Sequence, residues 1–173
     1  FQPFHKGHLQ VVKRALTEAE RVLILVGSAN VARDTRNPFS FEERRRFIDF
    51  ALPANMSGLF KIEPLNDTPY DHIAWINEVQ QKVKGASKAI RPRVCLVGHV
   101  RDATSEYLQW FPAWDFIPVA DTGINSTAIR ESFFDENVEF TGAWDDKATV
   151  WPNGLMNTVL EELQEFKQGH HYK

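Results

Sequence analysis

Between Arg21 and Val119 the chain repeatedly switches hydrophobic period, and this limits its possible folds more than any other feature. Arg21 to Val26 is a continuous run of leucine and β-branched residues, the pattern of a strand buried on both faces of a parallel sheet. Val94 to Val97 is a second such run, closed by Gly98. Leu59 to Leu65 alternates, with Leu59, Lys61 and Glu63 set against Phe60 and Ile62. Phe116 to Val119 is a fourth strand, and Pro118 within it points to an end or edge position.

Helical spacing fills the intervals. Leu9, Val12, Leu16 and Ala19 predict a helix from about Gly7 to Glu18. Ser40 and Glu43 form a capping-box pattern that opens a helix running to about Leu52, where Pro53 stops it. Asp71 can cap a helix carrying Ile73, Ile76, Val79 and Val83. A short helix is expected up to Phe111, another over 126–134 and a last over 156–166, with 135–153 the least regular part. Strands alternating with helices predict an α/β fold with a doubly wound parallel sheet. Such a sheet is expected to have a strand before the first helix. The chain instead opens at Phe1 without methionine, so the first strand is expected in a longer natural chain. Residues 1–168 read as one domain, and 169–173 as a tail or the start of a linker.

Composition removes several functional classes. A formal charge of −3, from 20 basic and 23 acidic residues, argues against a general nucleic-acid binder. The apolar runs are strand-sized, which argues against a membrane span. The single cysteine, Cys95, excludes an internal disulfide and a multi-cysteine zinc site. No signal-peptide pattern is visible, so the expected compartment is the cytoplasm. Neither a G-x-x-x-x-G-K-[ST] loop nor a G-x-G-x-x-G turn occurs, leaving a P-loop kinase and a dehydrogenase unsupported.

Ligands of doubly wound sheets bind outside the carboxyl ends of the strands. Attention therefore falls on the segment before Gly7, on Gly27-Ser28 and on Gly98-His99. In the first, His5 and His8 flank Lys6-Gly7 at a helix start. A helix N-terminus offers unpaired N–H groups and a positive dipole end, and glycine allows close approach of a ligand. Imidazoles added there make a site for a polyphosphate; two surface histidines near a chain end are the competing reading. Ser126 and Thr127 offer hydroxyls at another helix start, with Arg130 one turn in as a phosphate clamp.

His5-Lys6-Gly7-His8 followed late in the chain by Ser126-Thr127-Ala128-Ile129-Arg130 resembles the H-I-G-H nucleotidyltransferase superfamily. The strings FQPFHKGHL, LVGSA and RNPFSFEER are similar to one branch in particular, the archaeal-type nicotinamide-nucleotide adenylyltransferases, some of which are fused to a Nudix hydrolase domain. The resemblance implies a Rossmann-like fold and an enzyme that joins ATP and nicotinamide mononucleotide into NAD and pyrophosphate. It implies magnesium carried on substrate phosphates with no metal ligands from the protein, a homo-oligomer among the possible assemblies, and a Nudix domain among the possible extensions. His5, His8, Arg130 and Arg44 are then the catalytic set. Phe1, Gln2, Pro3, Phe4, Gly7, Gly27, Ser28, Asn37, Pro38, Phe39, Asp67, Trp75, Gly98, His99, Ser126 and Thr127 are the substrate-binding set.

Within these sets Trp75 would stack on the pyridine ring, Asp67 would bond its carboxamide, and Gly98-His99 would face adenosine. On the residues alone, Arg44 also fits a salt-bridged helix surface, Trp75 a core position and Asp67 a cap. Two further readings stay open. One is another H-I-G-H enzyme, either a pantetheine-phosphate adenylyltransferase or a cytidylyltransferase. The other is a module that senses NAD or ATP without turnover.

Overall fold

The computed structural model describes residues 1–99, 109–134, 165–166 and 168–169. Helix α1 spans Lys6–Glu18 and strand β1 Val22–Val26. Helix α2, Phe41–Ala51, leads through a short 3-10 turn at Ala54–Met56 to β2, Phe60–Pro64. Helix α3, His72–Ala86, precedes β3, Cys95–Gly98. Strand β4, Asp115–Pro118, and helix α4, Ser126–Phe134, complete the order. The helix expected before Phe111 lies mostly outside the described residues, as do most of 156–166, all of 135–153 and most of the tail.

Local chemistry explains the element ends. Ser40 Oγ accepts from Glu43 N–H at 3.3 Å, and the Glu43 carboxylate accepts from Ser40 N–H at 2.6 Å, closing the expected capping box. Asp71 Oδ1 accepts from Ala74 N–H at 2.8 Å at the head of α3. Two apolar positions fall differently from the periodicity. Ala15 is buried on α1 while Ala19 is exposed, because Ala19 is the extended C-cap residue beyond the last turn. Ile73 is exposed on α3, where the first turn projects past the core that takes up Val79.

Among the described residues all strand pairing is parallel. Strand β1 pairs with β2 from Val22↔Phe60 to Val26↔Pro64, with α2 in the crossover. Strand β3 pairs with β4 from Cys95↔Asp115 to Gly98↔Pro118, which makes Gly98 part of its strand rather than the stop after it. The fold is the expected α/β class. Its described strands form two parallel pairs in place of one continuous ladder, since no β1–β3 hydrogen bonding joins them. Helix α1 packs on both β1 and β3 and so ties the pairs together.

Two apolar clusters hold these layers. Phe4, Leu9, Val12, Ile24, Val26, Phe39, Phe47, Ile48, Leu52 and Ile129 form the larger, joining the segment before α1 to α1, β1, α2 and α4. Leu65, Val79 and Phe111 form the smaller, with Trp75, Trp110 and Trp114 against it. The larger core thus underlies the elements that carry His5, His8, Arg44 and Arg130.

Candidate active site at the heads of α1 and α4

Peptide N–H groups in the first turn of a helix find no partner inside it. On α1 the histidines supply those partners. His5 Nδ1 accepts from Gly7 N–H at 3.1 Å, and His8 Nδ1 accepts from His5 N–H at 3.3 Å, in the reciprocal manner of a capping box. An accepting Nδ1 leaves the proton of a neutral imidazole on Nε2. The head of α1 therefore carries two imidazole N–H donors beside its positive dipole end. The rings stack with centroids 3.8 Å apart, and Phe1 and Phe4 hold His8 at 4.5 and 5.6 Å. Gly7 is required by crowding: a Cβ there would lie 2.9 Å from Thr122 Oγ1 and 3.0 Å from the His5 ring.

The segment leading into α1 is bolted to two distant elements. The buried Gln2 amide donates to Phe39 O and accepts from Phe39 N–H, each at 3.1 Å, so it pairs with that residue as a neighbouring strand would. Gln2 O accepts from Arg130 Nη1 at 2.6 Å, and Pro3 O accepts from Ser126 Oγ at 3.1 Å. These bonds lay the N-terminus of α4 against that of α1. Two anion-favouring helix ends thereby meet at one place.

The N-cap of α4 is Asn125, whose Oδ1 accepts from Ala128 N–H at 2.7 Å. The hydroxyls expected to cap are used otherwise: Ser126 bonds Pro3, and Thr127 Oγ1 accepts from Arg130 Nη2 at 3.2 Å. An asparagine just ahead of a helical run was the signal for this cap.

Arg44 is buried, at 2% exposure, which replaces the surface reading that its charged neighbours suggest. Its guanidinium donates to Ser40 O at 3.2 Å, Gly27 O at 2.7 Å and Ser28 O at 3.1 Å. Those carbonyls mark the carboxyl end of β1, so α2 delivers a fixed cation to the place where ligands of such sheets bind. Burial lowers the Arg44 pKa, and the Asp67 carboxylate opposes that shift. The Phe1 nitrogen lies within electrostatic reach of both Arg44 and Arg130, so both guanidiniums act on one point in front of α1.

Asp67 closes the floor of this region. Ser28, left-handed at φ 53°, gives its N–H to Asp67 Oδ1 at 3.2 Å. Asn30, which sequence reasoning passed over as a turn residue, bonds both backbone groups of Asp67 at 2.9 and 3.1 Å. Asp67 is therefore held at the backbone and at the carboxylate. Asp34 Oδ1 caps a small turn by accepting from Asn37 N–H and Nδ2, while Pro38 and Phe39 are buried beside Gln2.

Trp75 and the Gly98-His99 pair belong to the other half of the molecule. Trp75 packs edge-on to Trp110, with centroids 5.6 Å apart, in the smaller core. His99 Nδ1 faces Val119 O at 2.9 Å, and a carbonyl can only accept, so Nδ1 carries the proton. His99 Nε2 is then a bare acceptor, buried and without a partner among the described residues. Among those residues no group of three or more His, Cys, Asp or Glu is placed to hold a metal ion, and no helix is long and apolar enough to cross a membrane.

Comparison with known proteins gives three findings. A family model described as cytidylyltransferase-like matches residues 1–132. A curated relative from Acinetobacter baylyi, named nicotinamide/nicotinic acid mononucleotide adenylyltransferase, is 32% identical over all of this chain and 86% of its own length. One from Thermoplasma acidophilum, named nicotinamide-nucleotide adenylyltransferase, is 36% identical over 46% of this chain and 44% of its own length. Two solved structures from Francisella tularensis are of a bifunctional NMN adenylyltransferase/ADP ribose pyrophosphatase. The one complexed with AMP and a manganese ion superposes with a TM-score of 0.76 at 26% identity, covering 96% of this chain. The other gives 0.80 at 29%, covering 99%. The chain spans about half the length of each Francisella protein.

Proposed function

Because the chain belongs to the cytidylyltransferase-like family, we propose that it transfers the adenylyl group of ATP to nicotinamide mononucleotide, forming NAD and pyrophosphate. The names of the Acinetobacter, Thermoplasma and Francisella relatives support this activity. The observation that carries the reading is the meeting of two helix N-termini, two imidazole donors and two half-buried or buried arginines in one place. That is an anion site of high charge density, suited to a triphosphate.

In the reaction a phosphate oxygen of the mononucleotide attacks the α-phosphorus of ATP. The bond from that phosphorus to the oxygen bridging to the β-phosphate breaks, and its electron pair leaves with pyrophosphate. The nucleophile is already an anion, so the protein supplies position and charge rather than a base. His5 and His8 present their Nε2–H donors to the triphosphate, and Arg130 grips its outer phosphates. Arg44, pinned by three carbonyls, acts as a fixed cation between the two reacting groups. Magnesium, entering on the ATP oxygens, would add positive charge to the transferring group when bound; the manganese in a Francisella structure supports a divalent ion.

Asp67 and Trp75 are the proposed pyridine-side residues, with Gly98 and His99 on the adenosine side. The Acinetobacter name makes nicotinate mononucleotide the rival acceptor. The bifunctional Francisella proteins support a further hydrolase domain in the natural protein.

The His8→Ala variant tests catalysis against mere nucleotide sensing. Loss of one preorganised donor lowers kcat about 10²-fold, with a much smaller change in ATP affinity. Nucleotide binding by the wild type without NAD formation would favour the sensor.

A further inference from the structure

The loop from Arg33 to Phe39 has more order than its composition suggests. Asp34 Oδ1 collects three N–H donors, from Arg36 N at 2.8 Å, Asn37 N at 2.6 Å and Asn37 Nδ2 at 3.3 Å. The far end is buried, with Phe39 paired to the Gln2 amide. At the near end Arg33 is neutralised by Glu43 of α2. Arg36 is the exception. Its side chain is exposed and has no ion-pair partner among the described residues.

The tether decides where that charge goes. Gln2 holds Phe39 by its side chain and Arg130 by its carbonyl, so the loop is fixed, three residues after Arg36, to the residue that also binds Arg130. Among the causes that lower the Arg130 pKa, Arg36 comes directly after burial, while Glu131 and Asp34 oppose it. The tethered loop therefore holds Arg36, without an ion pair among the described residues, within electrostatic reach of Arg130. An anion between them offsets that repulsion.

We propose that Arg36 is a second phosphate-gripping residue, clasping with Arg130 the terminal phosphates of the nucleoside triphosphate and the pyrophosphate that leaves. The inference rests on the adenylyltransferase reading for its substrate, and on the loop geometry for its residue. Arg36 touches the leaving group, so it contributes to ATP capture and to holding pyrophosphate. The planar fork of arginine suits two phosphate oxygens at once, so lysine restores the charge without the second bond.

The test compares wild type, Arg36→Ala and Arg36→Lys in the full-length protein. Two readouts are taken: steady-state KM values, and calorimetric titration with pyrophosphate. One lost charge-assisted bond predicts about tenfold weaker pyrophosphate binding and about tenfold higher KM for ATP in Arg36→Ala. The KM for the acceptor nucleotide stays within about twofold, Arg36→Lys falls between, and the melting temperature does not move because the side chain is exposed. The pyrophosphate difference shrinks as salt rises. Equal pyrophosphate affinity in wild type and Arg36→Ala would overturn the inference while leaving the adenylyltransferase reading intact. The expected pyrophosphate loss in a protein that makes no NAD would overturn that reading and retain the clasp.

Discussion

His5 and His8 carry one tautomer and His99 the other. The first two use Nδ1 to accept backbone N–H groups and so donate from Nε2, whereas His99 donates from Nδ1 and leaves Nε2 a buried acceptor without a partner among the described residues. An orphan acceptor costs stability unless a ligand donor meets it. The exocyclic amine of adenine is such a donor. The His99→Leu variant is therefore expected to keep or slightly raise the melting temperature while raising the KM for ATP severalfold. Thermal melting and ATP kinetics check both halves; a lower melting temperature with an unchanged KM would contradict the assignment. The sequence suggested which histidines matter but could not supply these protonation patterns. They depend on partners such as Val119, 20 residues away. Arg44 teaches the same lesson. Its neighbours in the chain are charged and imply a surface, but its real partners are carbonyls 16 and 17 residues earlier. Spacing along the chain carries no signal for such contacts.

At the scale of elements, α4 joins the two halves of the phosphate region. Its cap, Asn125, fixes the first turn from which Ser126 reaches Pro3 and Arg130 reaches Gln2. Replacing this cap by alanine costs about 1 kcal/mol. The melting temperature of Asn125→Ala should fall by a few degrees, and the KM for ATP should rise because the arginine is no longer oriented. Scanning calorimetry with steady-state kinetics checks this. An effect on melting alone would mean that α4 serves stability only. The elements themselves were legible: β1, α2 and α4 lie within about a residue of their expected bounds, and α3 begins directly after the expected Asp71 cap. Their periods are strong, and their start signals Ser40 and Asp71 and the stop signal Pro53 act over a few residues. Less legible was what depends on packing between elements. Ile73 has the right spacing to be buried but lies past the edge of the smaller core, and Ala15 is buried in place of Ala19 because α1 ends between them.

At the scale of the molecule, the two apolar clusters divide the labour. The larger one underlies the heads of α1 and α4 and the loop that ends at Phe39, so the phosphate region stands on a continuous core. The smaller one carries the aromatic residues around Trp75 on the other side of β1 and β2. The α/β class was legible because alternation of strand and helix is a property of the whole chain. The division into two parallel pairs was not, because pairing partners are chosen in three dimensions. The candidate site was legible in part: the H-x-G-H segment and Arg130 do come together, although 121 residues of chain lie between His8 and Arg130. The proposed activity belongs to this scale, since it needs both helix ends brought together. Its most direct test is product analysis with the full-length protein, ATP and magnesium. Parallel reactions receive nicotinamide mononucleotide, nicotinate mononucleotide or phosphopantetheine. The account predicts NAD and pyrophosphate in equal amounts from the first. Turnover of phosphopantetheine alone, or nucleotide binding with no product from any acceptor, would contradict it.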